Sequence, residues 1–286
     1  MRHLVLGGSG TVGRLVVDGL LKLGESVRVL TRSPEKARAL PRGATAVVGD
    51  LADPDTYDRV FTDYDHLFLL NATTPSELQE GLAAVNEARR SGAKRVVYLS
   101  IHDVEKGPAV PHFATKIGIE HALAETGLPH TNLRPNNFYQ NDLWFKDVIL
   151  PYGVYPQPLG NIGLSRVDTR DIAEAAVRAL TENGHQGKTY ALAGPDALTG
   201  EDCAAEYSRA LGKKVTYGGD DLVGWAKASR AAMPGWAVYD YALMYAMFQE
   251  KGLQASPAQR EETRTIVGHE PRKYSDFVKE TVAGWK

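Results

Sequence analysis

The sequence predicts an α/β fold in which a doubly wound parallel sheet is followed by a smaller, mostly helical C-terminal region. Three observations support this prediction. Short apolar runs alternate with segments of helical periodicity, a glycine-rich turn follows the first apolar run, and the alternation stops in the second half of the chain. Strands separated by helices pair in parallel through right-handed crossovers, and these generate a doubly wound sheet.

The first half of the chain contains six short apolar runs of the kind that form buried parallel strands. Between them lie helical patterns, with Gly24 as a helix stop, Ser33 as an N-cap and Pro34 at a first helical position. The strands are expected at residues 3–7, 26–32, 44–50, 65–71, 94–100 and 130–135. The helices between the first five strands are expected at 11–24, 33–40, 53–61 and 75–92, and a further helix is expected to contain residues 112–126.

The alternation breaks near residue 136. Residues 136–150 and 167–184 have helical patterns, residues 188–194 are strand-like, and the chain from about residue 196 is mostly helical. We therefore expect a first domain over residues 1–150, to which residues 163–194 return. A smaller substrate-binding region or lid is expected over residues 151–286.

Composition excludes several classes of protein. The 286 residues include 33 basic and 35 acidic side chains, so there is no basic excess for binding nucleic acid or a membrane surface. The single cysteine, Cys203, cannot form an internal disulfide, and no apolar run approaches the roughly 18 residues that a membrane span needs. We expect a cytoplasmic monomer or homodimer without a metal.

A glycine-rich turn connects the first strand to the first helix. Gly7, Gly10 and Gly13 are spaced three apart, and Thr11 and Val12 begin the helix. Glycines at these positions let the backbone turn tightly and approach a pyrophosphate, whose charge then meets the helix N-terminus. The context indicates a Rossmann-type dinucleotide site; the alternative is a glycine-rich turn without a ligand.

The residues after the second strand indicate which dinucleotide is bound. An acidic side chain at this place binds the 2′-hydroxyl of NAD, but this chain has Arg32, with Lys36 one helical turn later. Both could bind the 2′-phosphate of NADP or NADPH, and arginine adds a planar fork of donors. The alternative is that both residues are simply solvated.

The ordered stretches GGSGTVG, TRSPEK, GDLADPDTY, KRVVYLS, LRPNNFYQN, VDTRDIAEAA and KTYALAG cover nearly the whole chain. Together they resemble the NmrA-like branch of the atypical short-chain dehydrogenase/reductases. The resemblance implies an NADP-binding Rossmann domain with a small C-terminal substrate domain. It places Asp50 and Leu51 by the adenine, Asn71, Ala72 and Thr73 along the middle of the cofactor, and Pro135, Asn136, Asn137 and Phe138 near the nicotinamide.

Reductases of the broader superfamily use a Tyr-x-x-x-Lys pair, but none of the 13 tyrosines here has a lysine four residues later. His112 stands where the tyrosine would be, and Lys116 stands where the lysine would be. Residues four apart share one helix face, so both could point towards the cofactor. Lys116 lies on a stripe with Phe113, Ile119 and Leu123, so we expect it to bind the nicotinamide ribose rather than solvent.

The proton donor remains open. His112 suits acid catalysis near neutrality, yet a histidine at a helix start is often an ordinary polar residue. Ser100 matches the superfamily serine that polarises a carbonyl, and His102 is a further candidate. Loss of the tyrosine favours substrates that need little acid assistance, such as quinones, iminium ions or self-polarised ketones.

Residues 236–248 are rich in aromatic side chains and methionine. This stretch is either helix core or a lid over a flat, aromatic substrate, with Trp236 and Tyr245 as candidate contacts. The sequence as a whole favours an NADPH-dependent reductase that transfers hydride to a carbonyl, quinone or imine of a bulky aromatic metabolite. The alternative is a non-enzymatic NADP(H) sensor that regulates a protein partner.

Overall fold

The computed structural model describes residues 1–285, which form two compact units. The first unit comprises Met1–Ile101, Ala114–Arg134 and Thr169–Tyr190. The second comprises His102–Phe113, Pro135–Asp168 and the described residues from Ala191 onward. Each unit is therefore assembled from separate stretches of the chain. The bounds of 1–150 and 151–286 expected for two domains stay a prediction.

All six strands predicted in the first half of the chain are present. Seven strands form one sheet in the order β3-β2-β1-β4-β5-β6-β8, and the pairs from β3 to β6 are parallel. The remaining two form a short parallel pair, β7-β9, which the sequence did not predict. The strands are β1 (Arg2–Val5), β2 (Ser26–Thr31), β3 (Thr45–Val48), β4 (His66–Leu69), β5 (Arg95–Leu99), β6 (His130–Pro135), β7 (Val154–Tyr155), β8 (Lys188–Leu192) and β9 (Thr216–Tyr217).

Helices follow the strands of the sheet and dominate the second unit, as predicted from the change in pattern. The helices are α1 (Thr11–Lys22), α2 (Pro34–Arg38), α3 (Tyr57–Val60), α4 (Glu77–Arg90), α5 (Pro111–Thr126), α6 (Lys146–Tyr152), α7 (Thr169–Thr181), α8 (Gly200–Leu211), α9 (Leu222–Ser229), α10 (Gly235–Lys251), α11 (Pro257–Val267) and α12 (Tyr274–Ala283). Among those described, none is long and apolar enough to cross a membrane.

The core of the first unit explains why these strands lie at its centre. Every residue of β4 and β5 is buried, as expected for strands covered by helices on both faces. Helix α1 packs closely on α7, since a Cβ built on Gly19 would lie 2.8 Å from a methyl carbon of Val177. The sheet therefore holds the carboxyl ends of its strands in a fixed arrangement, which is where ligands bind in open α/β sheets.

The segment 136–150 differs from the single helix that its pattern suggests. Residues 139–145 form a 3-10 segment, and only residues 146–152 form an α-helix. The physical reason is tertiary pairing. Asn137 and Phe138 extend along Val167, whose backbone N–H donates to the Asn137 carbonyl at 2.9 Å. Residues 53–61 likewise divide into a 3-10 segment and α3.

Candidate functional site

The glycine-rich turn after β1 has a conformation that other residues would not adopt. Gly7 has φ of +71°, and a Cβ built on Gly13 would lie 2.1 Å from the Gly7 carbonyl oxygen. A Cβ on Gly8 would lie 2.6 Å from a methyl carbon of Val29. The turn is thus pressed against the first turn of α1 and against β2, so that the backbone itself forms the surface offered to a ligand.

The N-terminus of α1 is suited to an anion. Gly10 occupies the N-cap, and neither a capping side chain nor an acidic residue is present in the first turn as described. Thr11 is exposed, whereas Val12 and Gly13 are buried against the sheet. The leading backbone N–H groups and the positive end of the helix dipole therefore meet solvent, as a pyrophosphate site requires.

Basic side chains surround this turn. Ser33 caps α2, accepting a hydrogen bond from the Lys36 backbone N–H at 3.1 Å, which fixes the helix that carries Lys36. Arg32 and Lys36 are both exposed. A cavity of about 150 Å³ is lined by Gly8, Ser9, Arg14, Lys36, Ala39, Leu40 and Pro41.

Sequence reasoning missed Arg14, which lines this cavity together with Lys36. The available signal was its position directly after Gly13, in the first exposed turn of α1. Lys36 and Arg14 together give the cavity positive charge, which fits a phosphate group.

The loop after β3 is fixed by local hydrogen bonds. A side-chain oxygen of Asp50 accepts from the Ala52 backbone N–H at 3.0 Å, and the Tyr57 hydroxyl donates to the Leu51 carbonyl at 2.6 Å. Leu51 is buried and Asp50 is half-buried. The loop thus presents one apolar and one acidic side chain, a composition that fits an adenine nucleoside.

Three buried side chains at or near the carboxyl ends of β4 and β5 have polar atoms without described hydrogen-bond partners. They are the amide of Asn71, the hydroxyl of Tyr98 and the hydroxyl of Ser100. Buried polar groups are nearly always paired in folded proteins, so these three groups are suited to bind the polar atoms of a ligand. Ala72 is exposed and Thr73 half-buried on the same loop as Asn71.

Lys116 lies within the first unit as one member of a buried ion pair. Its ammonium is 2.7 Å from a carboxylate oxygen of Glu77, and both side chains are almost completely buried. The same ammonium lies over the ring of Tyr98, 5.4 Å from its centre. Burial first, and then the charge of Glu77, raise the pKa of the Tyr98 phenol, which therefore stays protonated.

Glu77 was also missed from the sequence. A glutamate in the first turn of a helix normally reads as an exposed residue that favours the helix dipole, and no local signal distinguishes a buried one. The buried stripe of α5, formed by Phe113, Lys116, Ile119 and Leu123, does agree with the sequence pattern.

In the second unit, residues 135–138 are held by backbone and side-chain hydrogen bonds. The Asn136 side chain donates to the Leu253 carbonyl at 2.7 Å, and its backbone N–H donates to the Leu192 carbonyl at 2.9 Å. The Pro135 carbonyl accepts from the backbone N–H of His102, whose side chain is fully buried.

Arg166 holds the other half of this segment and is itself fully buried. It donates to the Asn137 side chain at 2.9 Å, the Phe138 carbonyl at 2.7 Å and the Asp142 carboxylate at 2.8 Å. Burial opposes the charged guanidinium, but the charge of Asp142 and the neighbouring Tyr155, Cys203 and Tyr274 together outweigh it and raise the pKa of Arg166 well above its usual value. The conformation of 136–138 therefore depends on a charged residue that sequence reasoning did not select.

The aromatic helix α10 has two different halves. Trp236 and Tyr239 at its beginning are 40% and 65% exposed, whereas Tyr245 and Phe248 at its end are buried. Tyr245 packs edge-on against Trp225, with ring centres 5.0 Å apart. The end of α10 is therefore core, whereas the lid interpretation stays a prediction for its exposed beginning.

His112 is paired with a residue of α10. Its Nδ1 lies 2.5 Å from a carboxylate oxygen of Asp240, and both side chains are buried in the second unit. The pattern of α10 gave no sign of Asp240 as a functional residue, because a single acidic residue among aromatics reads as the polar side of a helix.

The model of the NmrA-like family matches residues 2–263. An NAD(P)H azoreductase of Xenophilus azovorans is 34% identical over 221 residues, 75% of each chain. Quinone oxidoreductase 2 of Escherichia coli is 30% identical over 220 residues, 74% of this chain and 76% of that protein. A crystal structure of an NADPH-dependent quinone oxidoreductase from Escherichia coli, in complex with NADPH, superimposes with a TM-score of 0.88 at 25% identity, covering 98% and 99% of the two chains.

Proposed function

The chain belongs to the NmrA-like family, and we propose that it is an NADPH-dependent reductase acting on bulky aromatic acceptors. The observation that carries this proposal is the buried Lys116 ammonium, at the position of the superfamily lysine, in a unit whose glycine turn fits a dinucleotide. The azoreductase and quinone oxidoreductase relatives support the same class of reaction.

Different residues are proposed to bind different parts of the cofactor. The glycine turn and the α1 N-terminus bind the pyrophosphate, because their N–H groups are uncapped. Arg32, Lys36 and Arg14 bind the 2′-phosphate, which selects NADPH over NADH. Bound NADPH supplies hydride. Asp50 and Leu51 contact the adenine, Asn71, Ala72 and Thr73 contact the middle of the cofactor, and Pro135, Asn136, Asn137 and Phe138 hold the nicotinamide.

Lys116 orients the nicotinamide ribose. An ammonium has three N–H donors, and the acceptor described for it is the Glu77 carboxylate, so donors remain for two ribose hydroxyls. Ser100, with its unpaired hydroxyl, is suited to polarise the acceptor oxygen. Trp236 is the proposed substrate contact. Tyr245 is buried and supports α10 from the core side, and His102 is fully buried and supports the backbone at Pro135.

The acceptor we propose is a carbonyl, quinone or imine attached to an aromatic system. Exposed Trp236 and Tyr239 offer flat faces for stacking, and aromatic side chains bind such ligands with large apolar area at low entropic cost. Because the sequence has no Tyr-x-x-x-Lys pair, any proton that the acceptor needs would come from another group.

The test is NADPH consumption across a panel of quinones, polycyclic aromatic ketones and imines, run beside titrations with NADPH and NADH. We expect turnover with at least one acceptor class and tighter binding of NADPH. Failure to bind NADPH would contradict the proposal. Tight binding without turnover on any acceptor would instead favour a regulatory protein that senses the cofactor.

A further inference from the structure

The buried pair of His112 and Asp240 requires an explanation that packing alone does not give. The two side chains come from residues 128 apart in sequence, on α5 and α10, and are 8% and 5% exposed. Removing a carboxylate and an imidazole from water is costly, and well-packed apolar residues at such positions are often as stable or more so. A buried pair of this kind is therefore a candidate for a functional role.

The imidazole is held in one orientation. The Phe113 ring contacts it edge-on with centres 4.9 Å apart, and the Tyr241 ring does so at 5.9 Å. The Asp240 carboxylate, through its contact with Nδ1, fixes the remaining rotation of the imidazole ring. A carboxylate only accepts hydrogen bonds, so Nδ1–H is the donor in this contact. The other ring nitrogen, Nε2, has no hydrogen-bond partner among the interactions described for residues 1–285.

This arrangement has the chemistry of an acid–base group. A carboxylate that binds Nδ1–H fixes the tautomer and the orientation of the ring, so that Nε2 is the atom that exchanges a proton. The pair thus supplies the proton donor that the missing superfamily tyrosine would have provided. Asp240 lies one helical turn after Trp236, so one helix carries both the positioning carboxylate and a proposed substrate contact.

We propose that His112 is the proton donor of the reduction and that Asp240 is its positioning residue, an inference that rests on the proposed reductase function. Bound NADPH would supply the hydride and become NADP⁺. Addition of the hydride to the acceptor carbon breaks the C=O or C=N π bond. The electron pair of that bond moves to the acceptor oxygen or nitrogen. That atom takes the proton from Nε2–H of the His112 imidazolium. The neutral imidazole that is left keeps its proton on Nδ1, and Nε2 regains a proton from solvent.

Two acceptors separate this role from a structural one. A ketone needs a proton during reduction, whereas a cationic iminium salt is reduced by hydride alone. His112→Phe and Asp240→Asn are expected to lower kcat on an aromatic ketone by about 10²–10⁴-fold, the range typical of general acid catalysis. Reduction of an iminium acceptor should change by no more than about twofold, because it bypasses the proton step.

The unliganded protein provides a second readout. The imidazole ¹⁵N spectrum should show a proton on Nδ1 of His112, and Asp240→Asn should shift this resonance while NADPH affinity stays unchanged. Glu250→Gln, an exposed carboxylate on the same helix, is the matched control and should alter neither readout. His112→Gln, which keeps a hydrogen-bonding side chain, replaces His112→Phe if the latter fails to fold.

Equal loss of rate on both acceptors would overturn the proposal, because a structural defect does not distinguish them. Unchanged ketone reduction in both variants would also overturn it. Failure of the unmodified protein to reduce either acceptor would instead reject the reductase function, and the proton-donor role with it.

Discussion

Two buried ion pairs, one in each unit, resemble one another in charge but differ in the number of acceptors described for the basic side chain. In the second unit, Arg166 and Asp142 are fully buried. In the first unit, Lys116 and Glu77 are nearly so. Breaking either pair would leave a charge in the protein interior, which is among the costliest single changes a fold can suffer.

The Arg166 pair is surrounded by partners. Asp142 accepts from the hydroxyls of Tyr155 and Tyr274 and from the amide of Gln157, in addition to Arg166. Burial raises the pKa of Tyr155 and of Tyr274 well above the usual value, so both remain donors. A saturated network of this kind specifies one conformation and offers few atoms to a ligand.

The Lys116 pair has a different setting. The described contacts of its ammonium are the Glu77 carboxylate and the Tyr98 ring, and the Tyr98 hydroxyl has no described partner. The same unit contains the unpaired polar atoms of Asn71 and Ser100. Burial alone does not distinguish the two pairs. We expect the Lys116 ammonium to keep donors for a ligand, whereas the donors of Arg166 bind groups of the protein itself.

The largest expected effect is on the saturated pair. Arg166→Ala leaves the Asp142 carboxylate buried without its cation, and we expect the free energy of unfolding to fall by about 3–5 kcal/mol. Urea unfolding measures this. Arg209→Ala, which removes an exposed i,i+3 pair with Glu206 in the same unit, should cost no more than about 0.5 kcal/mol. If both variants lost a similarly small free energy of unfolding, the buried Arg166 pair would matter no more to stability than an exposed pair.

The two ends of α10 should respond differently. Tyr245 is buried and its hydroxyl lies 3.5 Å from the Gln157 amide oxygen of the saturated network, so Tyr245→Ala should cost about 3–5 kcal/mol of stability. Trp236→Ala should leave the melting temperature nearly unchanged and raise KM for the acceptor, with NADPH affinity intact. Melting curves run beside steady-state kinetics separate the two. A stable Trp236 variant with unchanged KM would exclude that residue from the substrate site.

Lys116→Ala tests the ion pair of the first unit. Misplacing the nicotinamide by about 1 Å can cost 10²-fold in rate, so we expect turnover to fall at least that far and NADPH to bind more weakly. The change also leaves the Glu77 carboxylate buried without the Lys116 ammonium. The double variant Lys116→Met, Glu77→Gln removes both charges, so it should recover stability without recovering turnover. A Lys116→Ala protein with normal turnover and normal NADPH affinity would exclude the residue from the active site.

The smallest expected effect is that of replacing Arg32, whose side chain is exposed. Arg32→Ala should remove a charge-assisted contact worth about 1.5–3 kcal/mol from NADPH binding, with NADH binding little changed. Isothermal titration with both cofactors measures the difference, and Arg38→Ala, exposed on neighbouring α2, is the control. Equal affinity of the unmodified protein for NADPH and NADH would contradict the assignment.

The sequence by itself determined the features that depend on near neighbours. The strands of the first half follow from short apolar runs, and the turn at Gly7, Gly10 and Gly13 follows from the glycine spacing between a predicted strand and a predicted helix. Ser33 and Pro34 likewise predicted the start of α2, because a cap and a first-turn proline act within a few residues of themselves.

Only the tertiary structure decided which polar residues are paired and which remain available. Glu77 and Lys116 come from different helices, and His112 and Asp240 lie 128 positions apart in a sequence with no pattern that joins them. The division of 136–150 was also hidden, since it depends on contacts with Val167 and Arg166. Local periodicity reports which face of an element is buried, but the partner of a buried charge is set by how distant elements pack together, and a single sequence does not encode that locally.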